Sequence, residues 1–336
     1  MKFLVEEGSY RFMLSGSLLG IALYNVNSWP VGYMATYTMH PLTFFEYAKN
    51  RGMQEDTYRE LEINIKNKKV LPEYLHKKFL EIFDEYMIIG GMPQIVDSFI
   101  SNNDISNLDV YYDAINSLNK KDIMKHAQLN KKLKIQEIYD LIPSELNSQT
   151  KRFILKDVKN KSINDNMQSS FLWLANAGVI IPVYNVEEPK FPLKLSASRT
   201  LLKVFMEDVG LLSNTIMNNL DKIKLINKEI NLNYGSLYEN FVACEFKANK
   251  KNDLYYYSNK KKGELDFVIE NNGEVIPIEV KSGKKYDRHS ALTNIMSVKN
   301  YNIKKSVVLS RENYKNIEKI EYIPIYAISI FLGLGN

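Results

Sequence analysis

The spacing of hydrophobic positions changes several times toward the C-terminus, and each change predicts a different element. Residues 235–246 (GSLYENFVACEF) place apolar side chains at helical spacing, whereas residues 254–258 (LYYYS) and 304–310 (KKSVVLS) are typical of strands. A second helix is favoured over residues 287–299 (DRHSALTNIMSVK). Together with two strands within residues 263–283, the pattern predicts the order helix, three strands, helix, strand.

An Asn-Gly pair at 272–273 lies between two alternating apolar runs and predicts a hairpin with a type I′ turn. With these two residues as the loop, Asp266 faces Glu279 and Glu264 faces Lys281. Side chains alternate between the faces of a strand, so these four share one face. The other face is expected to be core, and its predicted pairs are Leu265 with Val280, Phe267 with Ile278, and Ile269 with Ile276.

Two carboxylates directly opposite each other destabilise an ordinary sheet. At roughly 5 Å and an effective dielectric constant near 20, their repulsion is about 3 kcal/mol. A raised pKa, a neighbouring cation or a bound metal ion could offset it. The simplest interpretation is that Lys281 neutralises the cluster and pairs with Glu264 at the surface. In that interpretation Lys281 is the only compensating cation nearby.

The arrangement of these residues resembles the PD-(D/E)XK, or restriction-endonuclease-like, nuclease superfamily. The matching pieces are a GxxxE motif at Gly235 and Glu239, the strand aspartate Asp266, and an ExK motif at Glu279 and Lys281. The superfamily uses this fold for DNA cleavage, although some members have lost the activity. All four functional positions carry the superfamily's residue types here.

The resemblance implies a role for each residue. Asp266 and Glu279 would ligate Mg²⁺ or Mn²⁺ through oxygen, which hard cations prefer, and Glu239 would complete the acidic metal site. Lys281 would position the attacking water or stabilise the charge that grows on the phosphate. The implied catalytic set is therefore Glu239, Asp266, Glu279 and Lys281, and the implied partner is double-stranded DNA.

A second resemblance covers nearly the whole chain. Residues 9–20 (SYRFMLSGSLLG) read as a buried strand and resemble the sensor-1 strand of AAA-type ATPases. Residues 30–48 (PVGYMATYTMHPLTFFEYA) resemble the next strand and turn of one prokaryotic branch of that family. The similarity continues through segments at residues 85–93, 173–193 and 205–212 to the nuclease-like motif.

The phosphate-binding elements of that family are absent from this sequence. No G-x-x-x-x-G-K-[ST] loop occurs, and no apolar strand ending in Asp-Glu precedes Ser15. We therefore interpret the chain as the C-terminal part of such an ATPase. Ser15 and Ser17 are expected to be bystanders, ATP is not expected to be a cofactor, and no autonomous ATP hydrolysis is expected.

The middle of the chain is expected to be mostly helical. Residues 105–195 are interpreted as three short helices, in IYDLIPSELN, FILKDV and QSSFLWLANAGVI, followed by a β-pair around VIIPVYNV and FPLKLS. This is the winged-helix pattern of many DNA-binding units. A winged helix also serves as a protein docking unit, and a solvated helical face explains the basic residues equally well. Those residues are Lys120, Lys121, Lys125, Lys131, Lys132, Lys134, Lys151 and Arg152.

These patterns predict a multi-domain α/β protein. Its predicted parts are an AAA core remnant at residues 1–50, a helical lid at 51–104, a winged-helix-like domain at 105–195 and a nuclease-like αβββαβ domain at 196–336. A length of 336 residues is consistent with two to four compact units.

Composition narrows the functional class only slightly. The net charge of +5 is a weak indication of anionic partners, and the single cysteine, Cys244, excludes an intrachain disulfide. The longest apolar run, near the C-terminus, is too short to span a bilayer. We expect a cytoplasmic protein without a membrane partner, while the sequence leaves its oligomeric state open.

Three functional classes remain open at this point. The first is a Mg²⁺-dependent DNA nuclease module that is normally coupled to an ATPase. The second is a DNA- or protein-binding module that keeps the nuclease fold without catalysis. The third is a truncated ATP-binding protein with no independent activity.

Overall fold

The computed structural model describes most of the chain after residue 34. The described residues are 6–13, 15–16, 35–127, 131–148, 153–154, 161–230, 235–249, 253–283, 285–331 and 333. Within them the protein is a mixed α/β structure with twelve helices and one nine-stranded sheet. The α/β class predicted from the sequence is confirmed.

Between residues 35 and 148, six described helices precede the first strand. The first begins after Thr43, whose hydroxyl accepts from the N–H of Glu46, while the Glu46 carboxylate accepts from the N–H of Thr43. This reciprocal capping box explains why the Pro-Leu-Thr-Phe segment turns directly into a helix. The six helices are α1 Phe44–Asn50, α2 Glu55–Lys66, α3 Glu73–Ile89, α4 Pro93–Asn102, α5 Asp109–His126 and α6 Lys132–Asn147.

The sheet contains both parallel and antiparallel pairs. Its strands follow the order β1-β3-β2-β4-β5-β6-β7-β9-β8, and β2/β4, β6/β7 and β7/β9 are the parallel neighbours. The strands are β1 Phe153–Ile154, β2 Ile180–Val186, β3 Ala197–Met206, β4 Tyr255–Asn259, β5 Gly263–Asn271, β6 Glu274–Val280, β7 Ser306–Ser310, β8 Lys315–Ile317 and β9 Ile320–Pro324.

The remaining helices connect or cover these strands. The helix predicted over residues 235–246 is confirmed, while the one predicted over residues 287–299 is shorter and is followed by a 3₁₀ turn, Lys299–Tyr301. The helices are α7 Lys161–Asn176, α8 Val209–Ile216, α9 Asn219–Ile226, α10 Gly235–Ala248, α11 Ser290–Met296 and α12 Ile328–Phe331.

Two hydrophobic cores stabilise the sheet. The larger contains the apolar stripe of α10 and residues of the N-terminal helices. In this core the ring of Phe246 on α10 meets the ring of Phe267 on β5 edge-on, with centroids 5.6 Å apart. The smaller contains Leu292 and Ile295 of α11. The predicted stripe of α10 is confirmed, because its four apolar members are fully buried: Leu237, Phe241, Val242 and Phe246.

A buried polar joint ties the N-terminal helices to the sheet. The Asp208 carboxylate accepts from the N–H of Leu211 at 3.0 Å and from the N–H of Gly91 at 2.6 Å. A side chain on Gly91 would collide with the backbone of Leu42, so only glycine permits this approach. Burial raises the pKa of Asp208 to about 6, although the backbone donors oppose the rise.

Three predicted elements are not present as expected. Residues 9–13 and 15–16 of the predicted buried strand are exposed and pair with none of the nine strands, while the rest of that segment lies outside the described residues. FPLKLS, predicted as the second wing strand, ends in the 3₁₀ turn Leu193–Ser196. FILKDV, predicted as a helix, begins as β1, because Phe153 and Ile154 pair with β3.

The sheet crosses the boundary placed between residues 195 and 196. β2 and β3 lie on opposite sides of that boundary and form the most extensive antiparallel pair of this region, from Ile180↔Met206 to Val186↔Ala197. The two strands thus form one antiparallel pair that spans this boundary. The division of the chain into domains stays a prediction. Among the described helices, none is long and apolar enough to cross a membrane.

Candidate functional site

The predicted hairpin places the acidic residues at a fork in the sheet. Asn272 and Gly273 have φ values of 51° and 76°, which is the positive-φ pair of a type I′ turn, and the predicted register holds out to Phe267↔Ile278. Beyond that pair the ladder ends. The Asp266 carboxylate instead accepts from the N–H of Val280 at 2.8 Å, so a side chain replaces a backbone acceptor where the strands separate.

A β-bulge lies at the same point of β5, in its pairing with β4. The pairing of β4 with β5 shifts between Tyr255↔Val268 and Tyr257↔Leu265, so that two residues of β5 oppose Tyr256 alone. A bulge of this kind re-aims side chains and breaks the alternation of faces. As a result Leu265 packs in the smaller core and Phe267 in the larger, which corrects the prediction that both lie on one core face.

Helix α10 brings the third predicted carboxylate to the fork. Glu239 lies one turn into the helix and is only 3% exposed. Its charge contributes to raising the pKa of both Asp266 and Glu279, which places the three carboxylates within mutual electrostatic reach. The charges of Glu239, Asp266 and Glu279 therefore act on one another in the folded protein, while their predicted role as metal ligands stays a prediction.

A lysine absent from the sequence-based site lies among these acids. Lys203 of β3 is fully buried, and its Nζ lies 2.8 Å from Glu264 Oε1, 3.4 Å from Glu239 Oε2 and 3.8 Å from Asp266 Oδ1. It also lies 5.2 Å from the centre of the Tyr256 ring, opposite the bulge. The prediction that Glu264 pairs with Lys281 is therefore wrong, because Lys203 takes that carboxylate.

The electrostatics of the cluster follow from burial and crowding. Burial raises the pKa of Asp266 well above its ordinary value, and the charges of Glu239 and Glu279 raise it further, while Lys203 opposes the rise. Burial alone would lower the pKa of Lys203, but the surrounding carboxylates outweigh it and raise that pKa. The ammonium group of Lys203 is therefore charged at neutral pH.

Lys281 forms an ion pair with the fourth carboxylate of the cluster, that of Glu279. Its Nζ donates to Glu279 Oε1 at 2.6 Å, and this pairing lowers the pKa of Glu279 against the dominant effect of burial, which raises it. The other oxygen, Glu279 Oε2, is buried and has no hydrogen-bond partner among the described residues. Lys281 is thus one of two cations that compensate the cluster, the other being Lys203. The prediction that Lys281 is the only nearby compensating cation is wrong.

The chemistry of the donors fits a hard divalent cation. Among the described residues, the four carboxylates of Glu239, Glu264, Asp266 and Glu279 lie with two ammonium groups, those of Lys203 and Lys281. All the acidic donors are oxygens, which Mg²⁺ and Mn²⁺ prefer. The present arrangement is held by Lys203, and within the described part of the chain no three His, Cys, Asp or Glu residues are grouped as a ready metal site.

Sequence reasoning could have found Lys203. A lysine stands between two apolar residues on each side in the strand LLKVFM at residues 201–206, and an ammonium group in such a strand must find carboxylate partners. The sequence pattern does not identify which carboxylates pair with Lys203, because β3 is three places from β5 in the sheet. Nothing in the sequence states that order.

Some of the predicted basic residues already have protein partners. Lys120 forms an ion pair with Asp140 at 2.8 Å, and Lys134 forms one with Glu137 at 2.9 Å. Lys131 donates to the hydroxyl of Ser169 at 3.1 Å. Two further members of the set, Lys151 and Arg152, lie outside the described residues.

Two families of unknown function match this chain. Residues 80–222 match the Domain of unknown function DUF8612, and residues 234–328 match the Domain of unknown function DUF4143. The second domain is often found in AAA-ATPase-associated proteins, although neither match names an ATPase or a nuclease family. Lys203 falls in the first match and its three carboxylates in the second, so both matched regions contribute to the cluster.

Comparison with curated proteins and with solved structures finds no match.

Proposed function

We propose that the C-terminal region is a nuclease-like module that hydrolyses DNA phosphodiester bonds with a divalent cation. The observation that carries this proposal is the convergence of Glu239, Asp266 and Glu279 with Lys281 where β5 and β6 separate. A cluster in which carboxylates outnumber ammonium groups among the described residues has a physical reason to bind a cation. The frequent association of the DUF4143 domain with AAA-type ATPases supports a partnership with such an ATPase.

The proposed roles follow the chemistry of the side chains. Asp266 and Glu279 would hold Mg²⁺ or Mn²⁺, with Glu239 as the third acid of the site. The bound ion would supply Lewis-acid stabilisation of charge on the phosphate. Lys281, which already touches Glu279, would orient the attacking water or donate to a phosphate oxygen.

The test is a DNA cleavage assay with supercoiled plasmid at varied Mg²⁺ and Mn²⁺. We expect nicking that requires the divalent cation and falls at least a hundredfold in Glu279→Gln. The matched control is Glu274→Gln, which makes the same change at the turn end of the same strand, where Glu274 pairs with Lys304. No nicking by the wild-type chain under any of these conditions would contradict the proposal.

A non-catalytic module that keeps this fold is the second candidate. It is favoured by Lys203, because an ammonium group already bridges Glu239, Glu264 and Asp266 without a metal ion. The expected result is then DNA retention in a gel-shift assay with EDTA present, and no cleavage after a divalent cation is added. Absence of both cleavage and binding would contradict both candidates.

A further inference from the structure

The four carboxylates of the cluster are not equivalent. Three of them surround Lys203, whose Nζ lies between 2.8 and 3.8 Å from one oxygen each of Glu239, Glu264 and Asp266. Since Lys203 is fully buried, water does not replace these contacts. An ion that entered this part of the cluster would have to displace an ammonium group.

Glu279 is placed differently. Its Oε1 accepts from Lys281, which is partly exposed, while its buried Oε2 has no hydrogen-bond partner among the described residues. Asp266 stands between the two environments: Oδ2 accepts from the N–H of Val280, and Oδ1 is the oxygen that faces Lys203. The free acceptor capacity of the cluster is therefore on the side of Glu279.

We propose that Lys203 is an internal cation that competes with a divalent ion for the oxygens of Asp266 and Glu239, and so weakens ion binding at this site. In its presence the cluster assembles without metal, and an incoming ion is confined to Glu279 and the adjacent oxygens of Asp266. This inference rests on the metal binding proposed above. It makes Lys203, which lies outside the nuclease-like motif, the residue that sets the ion affinity.

The test is the binding of Mn²⁺ to the full chain by isothermal titration calorimetry at matched ionic strength. Lys203→Met should lower the Kd for Mn²⁺ at least tenfold and should also lower the melting temperature of the metal-free protein. Opposite effects on metal affinity and metal-free stability distinguish competition from a purely structural role, which would weaken both. Lys304→Met, which removes a lysine at the turn end of the hairpin, should leave the Kd unchanged.

A second variant covers the case in which Lys203→Met does not fold. The double variant Lys203→Met/Glu264→Gln removes one ammonium and one carboxylate, so the net charge of the cluster stays as it is. It should still bind Mn²⁺ more tightly than wild type, because the competing group is gone. If only the single variant gains affinity, net charge is the cause and the proposal is overturned.

The remaining outcomes separate this inference from the proposed function. A Kd within twofold of wild type in both variants overturns the role of Lys203 and leaves the metal-dependent function standing. Mn²⁺ binding in the variants but not in wild type supports the role of Lys203 and overturns the metal-dependent function. If no protein binds Mn²⁺, both are overturned.

Discussion

Glu245 links the folding stability of this protein to pH. It lies on α10, is 2% exposed, and its Oε1 accepts from the N–H of Phe44 at 2.8 Å at the start of α1. Burial raises the pKa of Glu245 from 4.5 to about 7, against the opposing effect of the Phe44 donor. Folding therefore favours the protonated form of Glu245 more than the unfolded chain does.

The sign and size of the effect follow from proton linkage. A carboxyl whose pKa is higher in the folded protein contributes stability at low pH, and that contribution is lost as the pH rises through the folded pKa. A rise from 4.5 to about 7 corresponds to about 3 kcal/mol when both states are ionised. Glu245→Gln keeps an oxygen acceptor for Phe44 and cannot ionise, so it should escape this loss.

The assay is urea unfolding of wild type and Glu245→Gln, followed by circular dichroism between about pH 5 and pH 8. The variant should be more stable by about 3 kcal/mol at the upper limit, and the difference should shrink to about 1 kcal/mol at the lower limit. Glu137→Gln, on the exposed face of α6, serves as the control and should follow the wild-type pH dependence. A difference that is constant with pH, or that favours wild type at the upper limit, would refute the argument.

Three further predictions address other parts of the chain. The purified protein should not hydrolyse ATP, since the sequence has no phosphate loop; turnover above a blank cleared of contaminating ATPase would contradict this. Gly91→Ala should lower the unfolding free energy by about 3 kcal/mol, because its Cβ would collide with the backbone of Leu42. Gly52→Ala has only the strain of a positive φ, so its unfolding free energy should fall by about 1 kcal/mol in the same urea assay. Lys281→Met should lose about 2 kcal/mol at about pH 8 and less under acidic conditions, where protonated Glu279 needs no counter-charge; a loss independent of pH would show that packing of the lysine stem is responsible.

The sequence alone determined the local elements of the candidate site. Asn272 and Gly273 fixed the turn, because few residues other than Asn and Gly adopt φ > 0 at both central positions. The turn fixed the register from there to Phe267↔Ile278, and helical periodicity identified the buried stripe of α10 that carries Glu239. These features depend on residues near each other in the chain, which is why they can be predicted.

The tertiary structure decided which charges meet. The bulge opposite Tyr256 depends on the pairing of β4 with β5, and it moved Leu265 to the smaller core while the fork at Asp266 opened. Lys203 reaches Asp266 although β2 and β4 lie between β3 and β5 in the sheet, so this contact depends on the strand order and the overall fold. The energy of a buried ammonium group depends on the carboxylates around it, and their positions follow from long-range strand order rather than from local sequence.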